Sequence, residues 1–215
     1  MNTENTLNNK KIILDSFNKG KFEKVIKLGK KFLKKNNDFQ VLYALGVTNL
    51  TLKDYLEAEK FFRSIISLKP NAENYYIYGN IQKQLKNYNE ASEYFLKAIN
   101  LKSDYSEAYN NLGNTKFRLG FIDEAVKNYK KAIKFNKKNF PAYFNLAHVY
   151  SEEKNFDDLK KVLQDVLKFD ENNTTALNDL GYLNLILGNV DEGRKLFERV
   201  INIDDKHIRA FKNYF

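Results

Sequence analysis

The chain has 215 residues, 43% of them apolar, with two prolines, nine glycines, no cysteine and a formal charge of +9. Without cysteine there is no disulfide, thiolate metal site or cysteine nucleophile, and so few breakers argue against an all-β protein. Nowhere do about 18 apolar residues follow one another, so the sequence predicts no membrane span and reads as cytoplasmic.

The N-terminal stretch Met1 to Asp15 is rich in Asn, Thr and Lys, and its apolar run Ile12-Ile13-Leu14 is too short for a signal peptide. Lys24, Lys27, Lys31 and Lys34 follow at helical spacing and face away from Phe22, Val25, Ile26, Phe32 and Leu33. Residues 1–40 carry ten Lys/Arg against four acids, so this first stretch is strongly basic. From there on the chain repeats itself. Gly46, Gly79, Gly113, Ala147 and Gly181 stand 33 or 34 residues apart. Nine positions after each anchor come Tyr55, Tyr88, Ile122, Phe156 and Val190. Twelve after come Ala58, Ala91, Ala125, Leu159 and Gly193, and sixteen after come Phe62, Phe95, Tyr129, Leu163 and Phe197.

These columns predict pairs of antiparallel helices. A stripe such as Tyr109, Leu112 and Gly113 has helical period. A glycine inside a helix costs about 1 kcal/mol relative to alanine, tolerable where a bare backbone lets the neighbouring helix approach. The small residue twelve positions on is the expected counterpart, with the aromatic one turn further along the same face. Leu119-Gly120 and Leu187-Gly188 suit the tight turn between the two helices.

The columns resemble the tetratricopeptide-repeat (TPR) family, whose 34-residue unit has small residues at positions 8, 20 and 27 and proline at 32. The unit Ser106–Asn139 carries that pattern most fully, with Tyr109, Leu112, Gly113, Gly120, Ala125, Tyr129 and Ala132. The resemblance implies an all-α, right-handed superhelical solenoid of antiparallel helix pairs, one domain over 1–215. Its repeats are 39–71, 72–105, 106–139, 140–173 and 174–207, after a degenerate unit at about 5–38 in which Phe22, Val25, Gly29 and Phe32 fall in line. Ile208 to Phe215 then reads as a partial capping helix, with Ile208, Phe211 and Phe215 inward. Two departures stand out. Proline at position 32 survives only as Pro70, which predicts less rigid turns between repeats. In 140–173 the small-residue columns hold Ala147, Leu159 and Val166, which predicts a looser helix pair.

In this family positions 2, 5, 9 and 12 of the first helix line a concave groove. Here that face and its neighbours carry Tyr43, Tyr76, Asn80, Asn110, Asn111, Asn114, Asn145, His148, Asn178 and Tyr182, with Phe144 and Asp179 beside them. Asparagine is a poor helix former, so its recurrence on one face needs a reason. An amide offers a donor and an acceptor, matching the N–H and C=O of an extended peptide. The Tyr109-Asn110-Asn111-Leu112-Gly113 segment is similar to the asparagine ladder in the repeat arm of protein O-linked N-acetylglucosamine transferases. The dicarboxylate clamp of heat-shock co-chaperones fits less well. Asn80 and Asn111 match it, but Tyr76, Pro141 and Asn145 stand where it needs cations.

No phosphate loop, nucleophile elbow or zinc motif is present, and His148 and His207 lie too far apart for a helical zinc pair. Glu152, Glu153, Asp157 and Asp158 read as solvated turn acids. The expectation is a non-enzymatic interaction module, without metal or cofactor, that holds a protein or peptide partner in the groove. The alternatives are anion or nucleic-acid binding by the basic N-terminal repeats, or self-association as the arm of a larger assembly.

Overall fold

The structure is a computed structural model that describes residues 3–204 and Lys212. Within them are twelve α-helices and no strand: α1 Thr3–Asn18, α2 Phe22–Leu33, α3 Phe39–Thr51, α4 Tyr55–Leu68, α5 Ala72–Gln84, α6 Tyr88–Leu101, α7 Ser106–Arg118, α8 Ile122–Phe135, α9 Phe140–Glu152, α10 Phe156–Phe169, α11 Thr174–Ile186 and α12 Val190–Ile203. The all-helical expectation holds, with each helix pair falling on one repeat. None of these helices is long and apolar enough to cross a membrane. The capping residues Ile208, Phe211 and Phe215, and His207, lie outside the described residues. The chain divides into two compact units, one ending at Gly120 and holding α1–α7, the other starting at Phe121 and holding α8–α12.

The anchor glycines are explained by one contact. A methyl group on Gly46 would come within 2.7 Å of the Phe62 ring, one on Gly79 within 2.8 Å of Phe95, and one on Gly181 within 2.7 Å of Phe197. All three rings are fully buried. In these three pairs the first helix therefore lies against the aromatic edge of the second, and no side chain fits between them. The ring sixteen positions on thus closes on the anchor beside the small residue expected as its counterpart twelve positions on. The small column has its own reason at Gly193, where a methyl group would stand 3.0 Å from the Gly181 carbonyl oxygen. Unit 140–173 solves the same problem with intermediate volumes, since Ala147 and Leu163 are both buried. Leu159 and Val166 are likewise taken into the core there. In the first pair the sizes are inverted: buried Ile13 occupies the anchor column and Gly29 the aromatic one.

The turn within each pair is a Schellman motif. Lys53 N–H donates to Leu50 O (3.0 Å) and Asp54 N–H to Asn49 O (2.8 Å), and the same bonds recur at Lys86–Asn87, Lys154–Asn155 and Gly188–Asn189. The residue that must turn left-handed is Gly20 (φ 66°), Gly120 (φ 81°) or Gly188 (φ 81°) in three units, but Lys53 (φ 60°), Lys86 (φ 63°) and Lys154 (φ 55°) in the three others. Those lysines sit where a Cβ is unfavourable by about 1–2 kcal/mol.

Asparagine also has ordinary structural work in this chain. Asn71, Asn139, Asn155 and Asn173 cap α5, α9, α10 and α11, each accepting from the backbone N–H three residues on. Buried Asn49 and Asn184 donate to the carbonyls of Leu45 and Leu180. At turns lacking the family's proline, side-chain bonds stand instead: Asn136 accepts from Lys138 N–H, and Asn173 donates to Asp170. Between α2 and α4, Lys30 reaches Glu57, and hydrogen bonds from Lys30 and then Lys60 hold the Glu57 carboxyl down at about 2.

The packing contact and the turns each have a test. Gly79→Ala lowers stability by about 1 kcal/mol in urea unfolding, because overpacking against Phe95 outweighs the helix propensity gained. Combining it with Phe95→Leu, which copies the Ala147–Leu163 pair, costs about 1 kcal/mol less than the two single changes added; strict additivity would contradict the contact. Lys86→Gly raises stability by about 0.5–1 kcal/mol in the same assay, and Gly120→Lys lowers it by as much.

Candidate functional site

Three residues of α5, spaced four and three apart, converge on one residue of α7. Tyr76, Asn80 and Lys83 share a face of α5 because that spacing is one helical turn each time. Asn111 of α7 donates through Nδ2 to the Asn80 Oδ1 (2.7 Å) and the Tyr76 hydroxyl (3.1 Å). Its Oδ1 accepts from Lys83 Nζ (3.1 Å). One amide thereby ties three side chains of the neighbouring repeat.

The direction of every bond in this cluster follows from Lys83. An ammonium has three donors and no acceptor, so the Asn111 oxygen must face it. The Asn111 nitrogen then faces Asn80 and Tyr76, so Asn80 must present its oxygen and Tyr76 a lone pair. What remains for a ligand is one-sided. The two N–H groups of Asn80, the Tyr76 hydroxyl hydrogen and two N–H groups of Lys83 have no protein acceptor among the described residues. Lys83 is half-buried, its pKa lowered by burial, and no carboxylate among the described residues pairs with it.

Aromatic residues wall this site. The Tyr76 ring lies 4.9 Å from Tyr105 and 6.0 Å from Phe95, the ring that meets Gly79. Burial, and then the neighbouring Tyr76, pushes the Tyr105 hydroxyl up to about 12. Lys102 stands 4.6 Å above the Tyr105 ring. On the next face of α5 the buried Tyr78 donates to Glu59 (2.7 Å), which also takes Arg63, and burial raises its hydroxyl further. That network is internal structure.

The other residues of the expected groove fall differently. Tyr43 of α3 packs on Phe39 and edge-on to Phe62, with its hydroxyl raised by burial and then by Glu73. Asn110 is buried in α7, and Asn114 is half-buried one turn on. In the second unit, His148 of α9 and Tyr182 of α11 line a cavity of about 220 Å³ with Phe144, Phe156, Asp179 and Ile186. His148 is exposed with Nε2 3.5 Å from Glu152 Oε1, Asn145 is half-buried, and Asn178 is buried with its amide on Asp179. The ladder is therefore not a uniform row of free amides. Asn80 and Asn111 meet each other, and Asn110 and Asn178 are largely enclosed. Among the described residues no group of three or more His, Cys, Asp or Glu converges as a metal site.

Lys83 and Tyr105 were not among the residues expected from sequence. Lys83 stands at position 12 of its unit, one of the groove positions, and was legible there; an isolated lysine simply reads as a wet surface residue. Tyr105 closes its repeat at position 34, which the groove pattern does not include.

Comparison with known proteins follows the same register. Residues 39–71, 140–173 and 174–207 match a family model described as tetratricopeptide repeat, and 79–120 and 113–153 match one described as TPR repeat. No curated protein matches the chain. Among solved structures, the C-terminal part of a TPR repeat-containing protein from Cytophaga hutchinsonii is similar at 15% identity, with 95% of this chain and 93% of that one covered and a TM-score of 0.77. PilF from Pseudomonas aeruginosa is similar at 17% identity, covering 98% and 96%, with a TM-score of 0.71. YrrB, described as a TPR protein with an unusual peptide-binding site, is similar at 19% identity, covering 85% and 95%, with a TM-score of 0.63. At such identities the likeness shows the fold alone. The finer likeness to the repeat arm of O-linked N-acetylglucosamine transferases finds no support in these matches.

Lys83→Met keeps the apolar stem and removes the half-buried ammonium, while water reaches the Asn111 oxygen left behind. Its expected effect is a gain of about 0.5–1 kcal/mol in urea unfolding, with exposed Lys127→Met unchanged. A loss of stability in Lys83→Met would mean that the ammonium is better satisfied than its single amide bond allows.

Proposed function

Because the chain belongs to the tetratricopeptide-repeat family, we propose that it is a non-enzymatic adaptor that holds an extended segment of a partner protein against the α5–α7 face. The observation that carries this reading is the fixed set of outward donors on Tyr76, Asn80 and Lys83, oriented by the Asn111 amide. An extended peptide presents a carbonyl at each residue, and these groups donate to such carbonyls without reading side chains. The Tyr76 and Tyr105 rings beside them offer an apolar wall for one side chain of the segment.

Donors held by neighbours lose little freedom on binding, which favours affinity. At about 1 kcal/mol net per bond and a modest aromatic contribution, the face supports dissociation constants of about 10–100 μM for a short segment. The cavity beside His148 and Tyr182 gives the second unit a place of its own for a side chain. YrrB's described peptide-binding site, on a chain of the same fold, supports the class of ligand.

The test is affinity capture from the native lysate with wild type and with Tyr76→Phe/Asn80→Ala/Asn111→Ala. The variant loses the polypeptides that wild type retains, while circular dichroism shows its helices intact. Equal capture by both proteins would remove the α5–α7 face as the working site.

A further inference from the structure

The inverted volumes of the α1–α2 pair leave a cavity. In three other pairs the ring sixteen residues after the anchor closes the space between the helices, at Phe62, Phe95 and Phe197. In α1–α2 that column holds Gly29, and a methyl group there would meet Leu45 of α3 at 2.9 Å. The filling therefore comes from α3, on one side only. Elsewhere between the two helices a cavity of about 170 Å³ stays open, lined by α1, α2 and the short stretch after α2, with no residue of α3. Ile13, Leu28 and Phe32 give it an apolar lining, Lys31 and Lys35 give it charge, and no acid lines it. We propose that this cavity is a second docking site, one that takes a single apolar side chain of a partner protein flanked by acidic residues.

Helical spacing brings these groups together. Leu28, Lys31 and Lys35 stand three and four residues apart on one face of α2, with Phe32 beside them. Ile13 and Phe32 are buried, Leu28 is half-buried and both lysines are exposed, so apolar surface lies within and charge at the mouth. The volume is that of about five waters at liquid density, room for one leucine-sized side chain. Small-molecule sites begin at about 300 Å³, so the fitting occupant is a side chain carried on a longer chain that adds contacts outside. Charge selects which chain. Lys10 meets Asp38, Lys19 meets Asp15 and Lys30 reaches Glu57, whereas Lys31 and Lys35 pair with no carboxylate among the described residues. The surrounding field has the same sign, since residues 1–40 carry ten Lys/Arg against four acids. Lys31 and Lys35 are about 6 Å apart along α2. Alternate residues of an extended segment stand about 6.6 Å apart on one side, so two acids can face the two lysines.

The test titrates four probes into full-length protein labelled with ¹³C at isoleucine and leucine methyl groups, reading the Ile13 and Leu28 signals. The probes are acetyl-Glu-Glu-Leu-Glu-Glu-amide, the same peptide with serine in place of leucine, the same peptide with glutamine in place of every glutamate, and octanoate. The first peptide is expected to bind with a dissociation constant of about 0.1–1 mM, about 10-fold tighter than either altered peptide. Lys31→Glu/Lys35→Glu changes only exposed side chains, so circular dichroism is expected to show its helices intact. It is expected to weaken the first peptide about 5–10-fold. Thr6→Leu narrows the cavity without changing its charge and is expected to weaken the same peptide by a similar factor.

Equal binding of the serine peptide reduces the site to charge alone and overturns the inference. Equal binding of the glutamine peptide, or unchanged affinity in Lys31→Glu/Lys35→Glu, overturns it by removing the acids. Octanoate binding tighter than the first peptide overturns it in favour of a small amphiphile. If no peptide moves either methyl signal up to about 5 mM, the inference fails outright. The α5–α7 face shares no residue with this cavity and is decided by its own test.

Discussion

The contact between a bare glycine on one helix and a buried aromatic ring on the next is what the remaining structure depends on. At Gly46–Phe62, Gly79–Phe95 and Gly181–Phe197 the spacing leaves no room for a methyl group, so the two helices of a pair have one depth of approach. Native packing density makes such a contact stiff: a side chain added there must displace a ring already enclosed on all sides. The contact also sets the roll of the first helix about its own axis. Asn80 follows Gly79 directly, and the Tyr76 ring rests near the same Phe95 that Gly79 abuts. The face that carries Tyr76, Asn80 and Lys83 is thus aimed at α7 by packing immediately beside it, since Gly79 lies three residues from Tyr76 and four from Lys83.

Much of the fold was legible because a repeat writes its constraints several times over. A glycine column could be noise once, but at Gly46, Gly79, Gly113 and Gly181 it marks a place where backbone must come close. The turn glycines Gly120 and Gly188 were legible for the same reason, whereas Lys53, Lys86 and Lys154 were not. A lysine carries no local sign of a left-handed backbone; only the register, enforced by the helices on either side, puts it there. The inverted pair of Ile13 and Gly29 hid the first repeat in the same way, since its volumes sit in the opposite columns. Larger residues at Leu159 and Val166 read as a defect in sequence, yet they are buried core in a unit whose other contacts differ in size.

The site was legible as a list of residues and not as an arrangement. Periodicity places Tyr76 and Asn80 on one face, and a further count of one repeat places Asn111 beside them. It does not say that the two amides bond to each other, nor which atoms are left over. That depends on Lys83, whose inability to accept a hydrogen bond orients Asn111 and, through it, Asn80 and Tyr76. Composition misled in the other direction. Asparagine is frequent in this chain partly because Asn71, Asn139, Asn155 and Asn173 cap helices and Asn49 and Asn184 satisfy buried carbonyls. Separating those from the ligand-facing amides takes burial and bond direction, neither of which a sequence displays.

The central claim is that Asn111 is locked and Asn80 is open. Hydrogen exchange of the side-chain amides, resolved by NMR on the full chain, tests it most directly. Both Nδ2 hydrogens of Asn111 are engaged, so they exchange slowly, and those of Asn80, which have no acceptor among the described residues, exchange faster. In Lys83→Met the Asn111 signal loses part of its protection, because nothing then fixes the direction of its amide. Slow exchange at Asn80 with fast exchange at Asn111, in the wild-type chain, would reverse the donor pattern and contradict the account.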